Sequence, residues 1–300
     1  MTEELTKTFI DKVKVESTYK KFVNIDIIKM LITIFSGQYQ RQSYPNNITN
    51  PLEKALQFYK DYNEKYYDMI IKGIANKKII ISKENTKSFI DATNNIALIR
   101  LYGNDSDIFI LVHEFAHFID RNSNPQIVPD KYWFLSEVFS FYMEKKLENW
   151  LDKTKYKDLI LIRNNNRLYY ESEMIKAIDY ELYYEHLYNA ENSIETKDLD
   201  VKKVKHIMKY DTSNLVNYLL TYPLANLISS HLIQNNLIEN NYNLVEKCLD
   251  IDLYKLLHNN TRQRIKKMVW YSTKDATIYD NIIQKRTNFR KRNEEIIWKS

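Results

Sequence analysis

Apolar positions recur every three to four residues along most of this chain, the period of an amphipathic helix. Over residues 3–36 the pattern predicts two helices with a break near Phe22, Val23 and Asn24. The polar stretch 37–50, with Pro45 inside it, reads as a loop. Asn50 then offers a capping side chain and Pro51 suits the first helical position, so a long helix is predicted from there to about Gly73. The texture changes at 78–82 and 96–102, two short β-branched runs bounded by polar turns, which read as strands. Gly103, Asn104, Asp105 and Ser106 form a turn and capping cluster. From Asp107 the helical period continues nearly to the end, with breaks around 122–129, 153–155, 192–197, 211–214, 240–241 and 259–261. The predicted architecture is mainly α with one small sheet in the first half.

Composition narrows the chemistry. Three glycines in 300 residues are too few and too scattered for a phosphate-cradling loop or a dinucleotide fingerprint. The single cysteine, Cys248, cannot form an internal disulfide, and it excludes thiolate-only zinc sites. Net charge is only +5, from 44 basic and 39 acidic residues, so no nucleic-acid partner is expected. The start of the chain is polar and acidic, with no apolar segment behind a basic one, and 25–35 is too short and too charged to span a bilayer. The expectation is a soluble, cytoplasmic protein that does not engage membranes.

One constellation carries chemistry: His113, Glu114, Phe115, Ala116 and His117. On a helix, positions i and i+4 share a face, so both imidazoles can hold one metal ion. Glu114 points toward the same cleft from a different position and can take a proton from a metal-activated water. A catalytic zinc needs a third protein ligand and keeps a fourth position for water. Glu137 and Glu144 lie on the next predicted helix, 133–150, seven residues apart and therefore on one face. A helix, a reversal and a second helix can return Glu137 to the histidines. Glu144 then sits two turns further on, within reach of a histidine N–H or, alternatively, in solvent. Asp120, on the face of His113 and His117, is a second candidate for that supporting role.

These residues resemble the zinc oligopeptidases of the thimet oligopeptidase and oligoendopeptidase F family. That family carries an extended strand, a Gly turn, an acidic-apolar run, His-Glu-x-Gly-His, and later Glu-x-x-Ser-x-x-x-Glu. Here the last element is matched by Glu137, Ser140 and Glu144, while Ala116 replaces the family glycine and Asp120 stands where a further histidine is common. The gap from His117 to Glu137 is closer to that of thermolysin-like enzymes. The resemblance implies a helical, zincin-like (gluzincin) catalytic domain over 78–300 behind an N-terminal helical segment at 1–77, the two forming one unit. It also implies one zinc per chain held by His113, His117 and Glu137. It implies cleavage of short unfolded peptides, with Glu114 as general base. The family's tyrosine-rich helix, whose hydroxyl stabilises the tetrahedral intermediate, is resembled by 217–225, best at Tyr222 and next at Tyr218; His206 and His231 are further candidate donors. The strand Ile96, Ala97, Leu98, Ile99, Arg100 would be the edge beside the motif helix to which substrate backbone pairs.

Two other readings of the same site stay open: a protein-specific metalloprotease, such as a processing enzyme or an effector, and a silent peptide-binding module. The basic run Lys285, Arg286, Arg290, Lys291 and Arg292, close to Phe289 and Trp298, could touch nucleic acid or a membrane surface. Because Glu294 and Glu295 follow, it reads instead as the solvated face of a terminal helix.

Overall fold

Capping side chains start several of the helices. A computed structural model describes residues 2–235 and 251–260, apart from 22, 36, 38, 85–86, 92–94, 124–133, 211 and 254. The Thr2 hydroxyl accepts the Leu5 amide at the start of α1 (Glu3–Glu16), and α2 (Ile25–Phe35) follows. Asn50 and Pro51 open α3 (Pro51–Tyr62) as expected, but the long helix does not run through to Gly73. Asn63 is extended (φ −160°, ψ 109°), and its side chain accepts the amides of Lys65 and Tyr66, which starts a separate α4 (Glu64–Ala75). A short polar side chain that satisfies backbone donors competes with the helix it would otherwise continue.

The sheet holds three strands rather than the two expected. They are β1 (Ile79–Ser82), β2 (Phe89–Asp91) and β3 (Ile96–Arg100), in the order β1-β3-β2. Three residues are too few for β2 to show a period-two pattern. β1 runs parallel to β3 with Ile79 opposite Ala97; β2 runs antiparallel with Phe89 opposite Leu98. β3 is therefore the central strand. The backbone of Ile96, Ala97, Leu98, Ile99 and Arg100 is flanked on both sides, so this segment is not a free edge for substrate, and the expectation is corrected. Among the described residues, the edges of the sheet are β1 and β2.

After Gly103 (φ 77°) come α5 (Asp107–Ser123), α6 (Leu135–Leu151) and the 34-residue α7 (Asp158–Glu191). Asn192, in the left-handed region, ends α7. A 3-10 turn (Thr196–Asp198), α8 (Val201–Ile207) and α9 (Leu215–Gln234) complete the described elements before residue 251. The fold is mainly helical with one small sheet. The helix predicted over 133–150 is α6, and the breaks at 153–155 and 192–197 fall between elements. The break at 240–241 and the basic run near 285–292 lie outside the described residues.

α5 is the hub. It packs on α3, α4, β2, β3 and α6; α6 in turn packs on α9, and α7 packs on α1, α2, α8 and α9. Tyr59 on α3 donates its hydroxyl to the Val112 carbonyl (2.8 Å). The fully buried Asp105 accepts the amides of Asn47 and Ile48 (2.9 and 2.8 Å), which ties the 37–50 loop to the start of α5. At Gly73 a Cβ would stand 2.8 Å from Ile79 and Phe118 side-chain atoms, so α4 reaches β1 and α5 only without a side chain there. Side chains from Phe9 to Leu232 join one apolar core. Among the described residues, no helix is long and apolar enough to cross a membrane.

A second buried feature lies where α1 meets α7. Glu16 accepts the Leu215 amide (2.8 Å), Glu185 pairs with Lys21 (2.9 Å), and Glu181 is fully buried with neither carboxylate oxygen bonded among the described residues. Burial pushes the Glu181 carboxyl up to about 8, helped by the charges of Glu185 and Glu16 and opposed by Lys12 and Lys21. A raised folded-state value means that this site's stability is fully present below the unfolded value, near 4.3, and is lost as pH rises through about 8. Glu181→Gln is therefore expected to flatten the fall in urea midpoint between pH 5 and pH 8.5; an unchanged slope would show that Glu181 is solvated.

Candidate metal centre

α5 buries Ile108, Phe109, Leu111, Val112, Phe115, Ala116, Phe118 and Ile119, a nearly all-round apolar helix. The residues that escape full burial in its middle are His113, Glu114 and His117. These polar groups stand on a part of the α5 surface that is not fully buried. α6 is also apolar on most sides, and it returns antiparallel enough for Glu137, in its first turn, to meet both histidines.

Three ligand atoms converge. His113 Nε2 and His117 Nε2 are 3.1 Å apart, and Glu137 Oε2 lies 3.1 Å from the first and 3.2 Å from the second. Ligands of a tetrahedral zinc with bonds of about 2.0–2.2 Å stand roughly 3.3–3.6 Å apart, so this triangle fits one ion with little adjustment. These three residues are the group among the described residues whose donor atoms could share a metal. Glu137 Oε2 is itself buried and lacks a hydrogen bond of good geometry, an acceptor aimed at the same point as the two imidazoles. The donor set, two imidazoles and one carboxylate, suits zinc and also other divalent transition ions.

Glu144 is the supporting group, and it is fully buried. Its Oε1 lies 2.7 Å from His113 Nδ1, so a proton on Nδ1 is held by Glu144 and, with a metal bound, Nε2 would be left to the ligand triangle. Its Oε2 takes Arg163 Nη2 (2.6 Å), Arg163 Nε (2.8 Å) and Arg167 Nη2 (2.9 Å), and Arg167 reaches on to Glu148 (2.9 Å). Burial alone would raise the Glu144 carboxyl; Arg163, Arg167 and His113 overcome it and hold the group well below the usual carboxylate range. Glu137 is likewise lowered against its burial, by His117 and His113 beside it. In the absence of a metal, His113 is raised to about 10, because Glu137 and Glu144 outweigh the effect of its burial.

Beside this centre is a cavity of about 240 Å³. His113, Glu114 and Tyr222 face it together with Arg163, Arg167 and Glu171. Burial raises the Glu114 carboxyl, partly opposed by the two histidines, which brings it toward the range of a working base. Burial and the charge of Glu137 push the Tyr222 hydroxyl far up, so it remains protonated and able to donate. Tyr222 precedes Pro223 inside α9, and a proline there withholds the amide that would bond the Leu219 carbonyl.

The other candidates are placed less centrally. Tyr218 is 45 % exposed and one turn from Tyr222, with the two hydroxyls 3.4 Å apart. His206, on α8, sits 2.9 Å from the Glu173 carbonyl and meets the Tyr180 ring edge to face; His231 meets Asn235 near the end of α9, roughly 13 Å along the helix from Tyr222. Neither lines the cavity. Asp120 is half-buried one turn beyond His117 and takes no part in the converging triangle. Sequence reasoning missed Arg163, Arg167 and Glu171. Their four-residue spacing on one face of α7 was a readable signal, lost among many charged helical positions.

Compared with protein families, curated proteins and solved structures, the chain matches none.

Proposed function

We propose that this chain is a metal-dependent endopeptidase acting on short, unfolded peptides, with zinc as its metal. The observation that carries the reading is the convergence of His113 Nε2, His117 Nε2 and Glu137 Oε2 beside a cavity that Glu114 and Tyr222 line. Its likeness to the thimet oligopeptidase and oligoendopeptidase F pattern adds to it. A zinc ion held by the three residues would lower the pKa of its water toward neutrality and polarise a substrate carbonyl. Glu114 takes the proton of the attacking water and returns it to the leaving amine. Tyr222 donates its hydroxyl to the carbonyl oxygen as charge develops there. Glu144, braced by Arg163 and Arg167, keeps His113 in the tautomer that serves as a ligand. With β3 internal, the short antiparallel edge β2, packed against α5, is the strand to which a substrate backbone would add. The lone Cys248 suits a reducing, cytoplasmic setting.

Elemental analysis together with cleavage of a mixed quenched-peptide library, with and without a chelator, tests the reading. One zinc per chain and chelator-sensitive cleavage are expected, and His113→Ala should lose both. Metal without cleavage of any short peptide would direct the reading to a dedicated protein substrate. A chain that binds no divalent ion would sink it.

A further inference from the structure

Tyr222 can serve as a donor only if its hydroxyl is held in one place, yet its own helix is weakened there. Pro223 withholds the amide that would bond the Leu219 carbonyl, so the turn around Tyr222 lacks one bond of the helical ladder. A proline is also where a helix kinks, and the aim of Tyr222 then depends on how the two halves of α9 are tied down. The first half is tied to the end of α1. Glu16 accepts the Leu215 amide (2.8 Å), and Asn217 gives its side-chain amide to the Lys20 carbonyl (3.0 Å). Neither contact refers to the helices that carry the converging ligands.

The second half does refer to them, through Asn226. This residue stands one turn after Tyr222, about 6 Å further along the axis and on the same face. Its Oδ1 accepts from Lys145 Nζ on α6 (2.6 Å), and its Nδ2 donates to Glu171 Oε1 on α7 (2.6 Å). A lysine ammonium only donates, so the amide oxygen has to face Lys145 and the amide nitrogen Glu171. Both partners belong to the frame of the site. Lys145 directly follows Glu144, which holds His113, and Glu171 lies one turn beyond Arg167 and lines the cavity together with Tyr222. Ser229 and Ser230, further along α9, turn their hydroxyls back to the Asn226 carbonyl (2.9 and 2.8 Å) and so bond within the helix rather than to a neighbour.

We propose that Asn226 is a positioning residue for Tyr222. One amide ties the helix bearing Tyr222 to the helix bearing Glu137 and Glu144 and to the helix bearing Arg163 and Arg167, and so sets where the Tyr222 hydroxyl stands beside the metal position. This role rests on the peptidase reading, in which Tyr222 donates to the oxygen that gains charge. Such a donor works only at the position where the charge develops. A misplacement of about 1 Å costs on the order of 10²-fold in rate.

Asn226→Leu in the zinc-loaded protein is expected to lower kcat on the best library peptide by about 10–100-fold while KM changes less than about twofold, with zinc content as the control for folding. Tyr222→Phe removes the donor itself. Asn226→Leu made in that background should cost less than about a further threefold, because two changes acting through one contact do not add. Hydrogen exchange gives a readout independent of turnover: in the metal-free protein, amides between 219 and 226 should exchange about tenfold faster in Asn226→Leu than in the unaltered chain. Full multiplication of the two losses, or unchanged exchange in α9, would overturn the role of Asn226 and leave the peptidase reading standing. If Asn226→Leu does not fold, Asn226→Asp combined with Glu171→Gln carries the test, since it exchanges donor and acceptor between the two positions and keeps an acceptor for Lys145. Its kcat should stay within about tenfold of the unaltered chain, and a loss as large as that of Tyr222→Phe would overturn the assignment. If the unaltered chain holds its zinc and cleaves no peptide, the peptidase reading fails and the role of Asn226 fails with it.

Discussion

Glu114→Gln is expected to bind zinc as the unaltered chain does while its peptide turnover falls by a factor of about 10²–10⁴, the usual worth of a positioned general base. The amide keeps the size and much of the hydrogen bonding of the carboxylate but cannot accept the water proton. Because Glu114 is not one of the three converging ligand residues, metal content should not change. The measurement is kcat/KM on the best library peptide beside zinc per chain. Full activity in this variant would remove Glu114 from the mechanism. Parallel loss of zinc would mean that the carboxylate belongs to the ligand set.

Glu144→Leu is expected to be the most damaging single change outside the ligands. Three charged or chargeable side chains point at this one buried carboxylate, and removing it leaves Arg163 without its counter-charge and Arg167 with Glu148 alone. Breaking a buried ion pair from one side costs about 3–5 kcal/mol. The second effect is on the metal. Without an acceptor at Nδ1, His113 no longer has its tautomer and ring orientation set, and loss of such a partner weakens metal binding by about 10–100-fold. Urea unfolding and a competitive zinc titration measure the two effects separately. Glu144→Gln, which keeps an acceptor for His113 but not the charge, should restore metal affinity more than stability. Equal recovery of both would show that the arginines are solvated rather than dependent on Glu144.

The sequence made the helical class and the paired histidines legible because both rest on short-range periodicity. A four-residue spacing puts His113 and His117 on one face whatever surrounds them. Glu137 and Glu144 were reachable for the same reason: seven residues apart, they had to act on the same side of α6. Three features escaped. Asn63 divides α3 from α4 by satisfying two backbone amides itself, a local competition that apolar periodicity does not record. The central position of β3 depends on β2, whose three residues give no alternating pattern, and on a pairing order that no single strand encodes. The arginines of α7 meet Glu144 only through tertiary packing. In the sequence they look like any helical basic residues, and burial is what gives them a role.

Among the described residues, the three groups that converge on the metal position and the carboxylate and arginines behind them fall between residues 113 and 167, on three consecutive helices. Among the described residues, those before them supply packing surface and a strand edge but none of the three converging groups. Selection can therefore rewrite the first part of the chain or shorten its loops without moving these groups, as long as α5 keeps its backing. Common descent with this chain would be traceable less by overall similarity than by an ordered signature. It reads His-Glu-x-x-His, a glutamate about twenty residues on, a second glutamate two turns later, and a pair of arginines one turn apart on the helix after that.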